Sequence, residues 1–185
     1  MQKYINLPLT KDKVLALKAG DRVYLTGEIF TARDAAHKRL CESIEKGEKL
    51  PFDINNATIF FVGPTPAKEG QIIGSAGPTT SYRMDSYSPI LLKHGLSGMI
   101  GKGDRSAAVV EAMKNFGGVY FAAIGGAGAL ISKCIKKSEV IAYSDLGTEA
   151  IRRLYVENMP LFVVIDSLGN NLYKTARKDF KERDF

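Results

Sequence analysis

Residues 22–47 read RVYLTGEIFTARDAAHKRLCESIEKG, and the change of pattern inside this stretch decides the fold class. Its first ten residues, RVYLTGEIFT, follow a Gly-Asp turn and predict a strand. From Thr31 onward apolar residues recur every four positions, which predicts a helix that ends near Gly47. Thr31 followed by Asp34 resembles a capping box in which Asp replaces Glu or Gln.

Strand and helix patterns alternate on both sides of this stretch. Strands are predicted at KYINLPLT (3–10), ATIFFVG (57–63), GMIGKG (98–103), GVYFAAI (118–124), EVIAYSDL (139–146) and MPLFVVID (159–166). Helices are predicted at PILLKHG (89–95, capped by Ser88), from Asp104 or Ser106 to Phe116, at GGAGALISKCI (125–135) and at TEAIRRLYVEN (148–158). The alternation indicates the α/β class, with a single domain over residues 1–185 and a charged tail at 174–185.

The composition narrows the classes of function. The chain has 185 residues, of which 45% are hydrophobic and 25% charged, so it can bury a substantial core. The net charge of +6 comes from basic residues interleaved with acidic ones, which argues against a nucleic-acid-binding stripe and suits a small anionic ligand. Cys41 and Cys134 have no metal-binding spacing and are expected to be structural thiols. With no signal peptide or membrane-spanning run, a cytoplasmic location is expected.

Arg33 and His37 form the first candidate site. Arg33 lies in the first turn of a predicted helix, where the helix dipole disfavours a cation. An anion held between the guanidinium and the free backbone N–H groups would explain this placement, and so would an ion pair with a nearby surface acid. His37 lies four residues later, on the same helix face, and is a candidate supporting residue.

The stretch GPTTSYRMDSY (77–87) is the second candidate site. A helical turn that starts near Thr79 would project Thr79, Thr80 and Arg83 to one side, which gives two hydroxyls and a guanidinium for a carboxylate or phosphate. A polar turn with capping threonines is the competing interpretation. Asp85 either orients Arg83 or caps the turn.

Two glycine-rich stretches complete the candidates. In GKGDRS (101–106), Lys102 lies between glycines that allow close backbone approach to a ligand, although the spacing is not that of a P-loop. In AAIGGAGALIS (122–132), Gly126 and Gly128 resemble the start of a dinucleotide fingerprint, but the third glycine position holds Ile131. An NAD site at Gly125–Gly128 is therefore kept as an alternative.

Four motifs in this order and spacing resemble one known family: TARDAAHKRL (31–40), GPTTSYRMDSY (77–87), GKGDRS (101–106) and YVENMPLFVVIDSLGNNLY (155–173). They resemble the β subunit, or C-terminal domain, of the iron–sulfur class I fumarate hydratases and the related L-tartrate dehydratases. The resemblance implies a swivelling β/β/α domain with a mixed sheet and flanking helices. It also implies an α subunit whose three cysteines hold a 4Fe–4S cluster, a dimer of αβ pairs, and a chain that is inactive alone.

The resemblance also implies roles for particular residues. Arg33, Thr79, Thr80, Arg83 and Lys102 match family residues that line the substrate site. Thr79 corresponds to the proposed base of the reversible hydration of fumarate to L-malate, although its hydroxyl can instead donate a hydrogen bond to a substrate carboxylate. His37, Asp85 and Asp104 are candidates for supporting these groups. The alternatives are an L-tartrate dehydratase β subunit, an NAD-binding α/β oxidoreductase and a non-catalytic anion-binding module.

Overall fold

The computed structural model of the chain describes residues 2–123 and 128–175. Its strands are β1 (Gln2–Asn6), β2 (Arg22–Thr31), β3 (Thr58–Phe60), β4 (Gly98–Gly101), β5 (Val119–Ala122), β6 (Ile135–Ala142) and β7 (Ile151–Ile165). Its helices are α1 (Lys11–Ala16), α2 (Asp34–Glu45), α3 (Ser88–Lys93), α4 (Ala107–Phe116) and α5 (Gly128–Cys134), with short 3₁₀ helices at Ser81–Met84 and Ser144–Glu149. The predicted α/β class is confirmed. Most of the predicted tail, and Gly125 and Gly126 of the alternative NAD site, lie outside the described residues.

The seven strands form one mixed sheet that is partly closed like a barrel. The strand order is β1-β2-β3-β4-β5-β7-β6, and β2 also pairs with β7, so β2, β3, β4, β5 and β7 follow one another around a ring. Neighbours from β1 to β5 are parallel, whereas β7 runs antiparallel to β2, β5 and β6. The carboxyl ends of β2, β3 and β4 therefore meet at one edge of the sheet, which is where α/β folds usually place a ligand.

The helix predicted at TEAIRRLYVEN (148–158) is wrong. Residues from Ile151 onward are the first half of β7, and Leu154 and Val156 are fully buried whereas Tyr155 between them is exposed. The spacing of these apolar residues fits a helix and a strand equally over so short a run. Backbone pairing with β2 on one side and β6 on the other decides for the strand.

The capping predictions have mixed outcomes. Thr31 does not cap α2, because its hydroxyl donates to the carbonyl of Ala150 (3.2 Å) and accepts the backbone N–H of Arg152 (2.9 Å). It thereby ties the end of β2 to the start of β7. Of the two residues predicted to start α4, Asp104 and Ser106, it is Ser106 that caps the helix. Ser88 is the first residue inside α3 and not its N-cap.

Side chains that alternate along the strands supply two apolar clusters on opposite faces of the sheet. The first packs under α2, α3 and α4 and includes Leu40, Ile59, Phe61, Leu91, Met99, Met113 and Tyr120. The second includes Val14 of α1, Ile131 of α5, and Leu25, Phe60, Ile100, Phe121, Leu154 and Val163 of the strands. Cys41 belongs to the first cluster and Cys134 packs against the second. Among the described residues, no helix combines the length and the apolar character needed to cross a membrane.

Candidate functional site

The candidate residues are carried by three segments at the carboxyl ends of β2, β3 and β4. Arg33 follows β2 and Lys102 follows β4. The long connection after β3 returns to the sheet at residues 79–81, where the N–H of Thr79 donates to the carbonyl of Phe61 (2.7 Å). Two residues later the N–H of Ser81 donates to the carbonyl of Lys102 (2.9 Å), which leaves Thr80 in a parallel bridge with Lys102. The structure therefore brings two of the sequence motifs into direct backbone contact.

Arg83 lies on the 3₁₀ helix Ser81–Met84 and links this loop to α2. The helical turn predicted to start near Thr79 is present but begins two residues later, at Ser81, so Thr79 and Thr80 precede it. The guanidinium of Arg83 forms an ion pair with the carboxylate of Asp34, the first residue of α2. The Arg83 side chain is still 41% exposed, so a ligand from solvent can reach it.

Arg33 is the N-cap residue of α2, and its guanidinium is paired with Glu149. One carboxylate oxygen of Glu149 lies 3.3 Å from Nη2 of Arg33, and the other accepts the N–H of Ala35 at 3.4 Å. The carboxylate of Glu149 therefore lies where an anion was predicted, between Arg33 and the N-terminus of the helix. This is the alternative in which Arg33 pairs with a nearby acid of the same chain. Nε of Arg33 is buried and has no hydrogen-bond partner in the part of the chain that the structure describes.

His37 supports Arg33 from inside the protein. Its Nδ1 lies 2.9 Å from the carbonyl oxygen of Arg33, so Nδ1 carries the proton and donates, while Nε2 is bare. The ring is fully buried, its edge meets Phe61, and no described residue hydrogen-bonds Nε2. Burial, aided by the charge of Arg105, lowers the pKa of His37 to about 4. His37 is therefore neutral at pH 7 and fixes the backbone below Arg33.

The turn 101–104 presents Lys102 to solvent. A Cβ at Gly101 would overlap the hydroxyl oxygen of Ser81, and Gly103 has a φ of 83°, so this tight turn requires glycine at both positions. Asp104 is tied down by accepting hydrogen bonds from the N–H of Arg105 (2.8 Å) and from Nδ2 of Asn171 (3.1 Å). The lysine side chain stays exposed.

Asp85 does not orient Arg83. Its two carboxylate oxygens instead accept Nε of Arg105 and the N–H of Ser106, both at 2.6 Å. Arg105 is 5% exposed and was not singled out by sequence reasoning. Glu149 was also missed, because it lies 114 positions from the N–H it accepts and no local pattern connects such residues.

The assembled site combines three cations with two hydroxyls on an open surface. Such a set can hold a small dianion through charge-assisted hydrogen bonds, with Arg83 and Lys102 accessible and Arg33 engaged with Glu149. Among the residues that the structure describes, no three His, Cys, Asp or Glu side chains form a group that could hold a metal ion.

The chain is similar to one protein family and to several known proteins. A family model described as the fumarase C-terminus matches residues 1–176. A putative L(+)-tartrate dehydratase subunit beta of Methanocaldococcus jannaschii is 40% identical over 181 residues, which cover 95% of this chain and 93% of that protein. The anaerobic class I fumarate hydratase of Escherichia coli is 43% identical over 155 residues, and fumarate hydratase 2 of Leishmania major 42% over 156. This chain spans 28% of the length of each of these two fumarate hydratases.

Proposed function

The chain belongs to the fumarase C-terminus family, and from this premise we propose that it is the β subunit of a hydro-lyase that reversibly hydrates fumarate to L-malate. The observation that supports this most is the convergence of Arg83, Lys102, Thr79 and Thr80 beside Arg33 at one edge of the sheet. The relatives named as fumarate hydratases and as a tartrate dehydratase subunit align over this whole region. A cytoplasmic location is part of the same proposal.

In this proposal the cations bind the substrate carboxylates and stabilise the charge that develops during reaction. Proton removal next to a carboxylate generates a dianion, and preorganised positive groups are the usual means of stabilising such a species. Arg83 and Lys102 are exposed and are supported by neighbouring segments, so they are in place before the substrate arrives. Arg33 joins them through the N–H groups that Glu149 leaves free.

Thr79 is proposed as the group that takes the carbon-bound proton. A threonine hydroxyl needs a strongly cationic surround to lose its own proton, which in this proposal Lys102 and Arg83 would supply. Thr79→Ser retains a hydroxyl and Thr79→Val removes it at nearly constant volume. If Thr79 is the base, Thr79→Val is expected to lower kcat with little effect on KM. If its hydroxyl only binds the substrate, Thr79→Val is expected to raise KM.

The residues of this chain do not fit a 4Fe–4S cluster. Such a cluster is held by three or four thiolates. The chain has two cysteines, and they lie against opposite faces of the sheet, Cys41 in α2 and Cys134 at the end of α5. We therefore propose that a partner α subunit with three cysteines holds the cluster, in a dimer of αβ pairs.

An L-tartrate dehydratase β subunit is the second candidate function. It is favoured by the relative from M. jannaschii, whose name describes a separate β subunit. The match with this chain covers 93% of that protein. Both substrates are small dicarboxylates, and the cations of the site would bind either one. Turnover of the reconstituted αβ pair on L-malate compared with L-tartrate distinguishes the two functions.

The test is anaerobic reconstitution of the chain with its cysteine-bearing partner, followed by Arg83→Ala. Loss of a charge-assisted contact is expected to cost about 2 kcal/mol or more, which is about 30-fold in kcat/KM. Arg153→Ala is the matched control, because Arg153 of β7 forms exposed ion pairs with Glu28 of β2 and Glu139 of β6. A change of less than two-fold in the Arg83 variant would refute the site and favour a non-catalytic anion-binding module.

A further inference from the structure

We infer that Tyr120 and Arg105 are positioning residues that hold the segment 79–83 and the Lys102 turn at a fixed separation. We call these two side chains and their hydrogen bonds the buried clamp. Neither side chain reaches the open surface where Arg83 and Lys102 are accessible. The effect on ligand binding rests on the proposed function, whereas the effect on the two segments does not.

Tyr120 joins the two segments through one hydroxyl. The Tyr120 oxygen lies 2.8 Å from Oγ of Ser81 and 2.8 Å from the carbonyl oxygen of Gly103. Because the carbonyl can only accept, Tyr120 donates to Gly103 and accepts from Ser81. Burial raises the pKa of the Tyr120 phenol, so the proton for this bond is retained over the working pH range. Ser81 is adjacent to Thr80, and Gly103 is adjacent to Lys102.

Arg105 directly follows the Lys102 turn and joins it, through a second set of contacts, to residues just after the segment 79–83. Its Nε donates to Asp85 at 2.6 Å and its Nη2 donates to Ser88 at 2.6 Å. Its guanidinium carbon lies 5.3 Å from the centre of the Phe61 ring and 5.1 Å from that of Tyr120. The Arg105 side chain has no exposed surface. Its planar guanidinium is therefore held in one orientation between these partners.

The buried clamp spans the two segments that would bind the two ends of a dianion. A dicarboxylate must contact both segments, so its affinity depends on their separation. A monocarboxylate needs only one segment, so its affinity is insensitive to that separation. A purely structural role would leave both affinities unchanged as long as the protein is folded. The comparison of these two ligand classes therefore isolates positioning from stability.

The test uses the full-length chain with Tyr120→Phe, which removes only the bridging hydroxyl, and Arg105→Lys, which keeps the charge but not the fork. Tyr24→Phe and Arg153→Lys are the matched controls, since Tyr24 stacks on Tyr4 and the side chain of Arg153 is exposed to solvent. Calorimetry measures the Kd of L-malate and of propionate. Both clamp variants are expected to weaken L-malate about ten-fold and to change propionate by less than two-fold.

Hydrogen exchange supplies a readout that does not depend on any ligand. Amide exchange in residues 79–83 and 101–106 is expected to rise together in Tyr120→Phe and to stay unchanged in Tyr24→Phe. Unchanged exchange in both segments overturns the inference, as does an equal loss of L-malate and propionate affinity. If the wild-type chain and its αβ complex bind no dicarboxylate, the proposed function fails, and hydrogen exchange still decides on the clamp.

Discussion

Buried His37 makes the stability of the fold depend on pH in a defined window. Burial lowers its pKa from an ordinary 6.5 to about 4, with the nearby charge of Arg105 acting in the same direction and that of Asp34 in the opposite one. The unfolded chain therefore takes up this proton first as the pH falls. The stability contributed by neutral His37 is complete above pH 6.5, is lost as the pH falls towards 4, and does not change further below that.

The size of the effect follows from the same shift. A displacement from 6.5 to about 4 corresponds to about 3 kcal/mol of unfolding free energy, at 1.36 kcal/mol per pH unit. By pH 5 the loss is expected to reach about 2 kcal/mol. This is a large fraction of the 5–15 kcal/mol typical of a domain.

Urea denaturation at pH 7, 6, 5 and 4 measures this loss in the wild type and in His37→Asn. The asparagine amide can donate to the carbonyl of Arg33 and does not titrate. His94→Asn is the matched control, because His94 bonds its own i−4 carbonyl in the same way but is exposed. The comparison uses the change of unfolding free energy with pH, so a difference in absolute stability between the variants does not affect it. Wild type and His37→Asn losing equal free energy between pH 7 and 4 would refute the reasoning.

Three further predictions concern other positions of the fold. Glu149→Gln removes a carboxylate that competes for Arg33. It is expected to strengthen L-malate binding by about 1 kcal/mol, or five-fold, in a calorimetric titration. Weaker binding would instead show that Glu149 orients the arginine. Gly101→Ala is expected to lower the unfolding free energy by about 1–3 kcal/mol in urea melts, because its Cβ overlaps a buried hydroxyl, while Gly77→Ala, in open space, changes little. The pKa of buried Cys41 is raised to about 11, so mass spectrometry should find it unalkylated by iodoacetamide at pH 7.5 until urea unfolds the chain, and rapid labelling of the native state contradicts this.

The sequence was sufficient wherever the signal is local. The change of period at the end of β2, the Ser106 cap and the buried strands β3 and β5 all follow from residues within one turn of one another. The family resemblance, which rests on four motifs in order, is confirmed by the match to the fumarase C-terminus. These features needed no knowledge of which segments pack together.

The sequence was insufficient where a distant segment decides. β7 has the spacing of a helix in its first half, and only the backbone of β2 and β6 makes it a strand. The carboxylate partners of Arg33 and Arg83 come from other elements, and so do the residues of the buried clamp. The residue types of the site could be predicted from the sequence. The pairing of Arg33 with Glu149 and of Arg83 with Asp34 could not.

The pairing of β2 with β7 also constrains how the chain acquires its fold during synthesis. The backbone of Arg152 bonds to the side chain of Thr31 across 121 positions, so β2 leaves the ribosome long before β7 exists. Until β7 follows, one edge of β2 has open backbone groups, which are a known template for wrong pairing. Nascent chains halted before residue 151 should therefore depend on chaperones, and those released after residue 165 should need them much less.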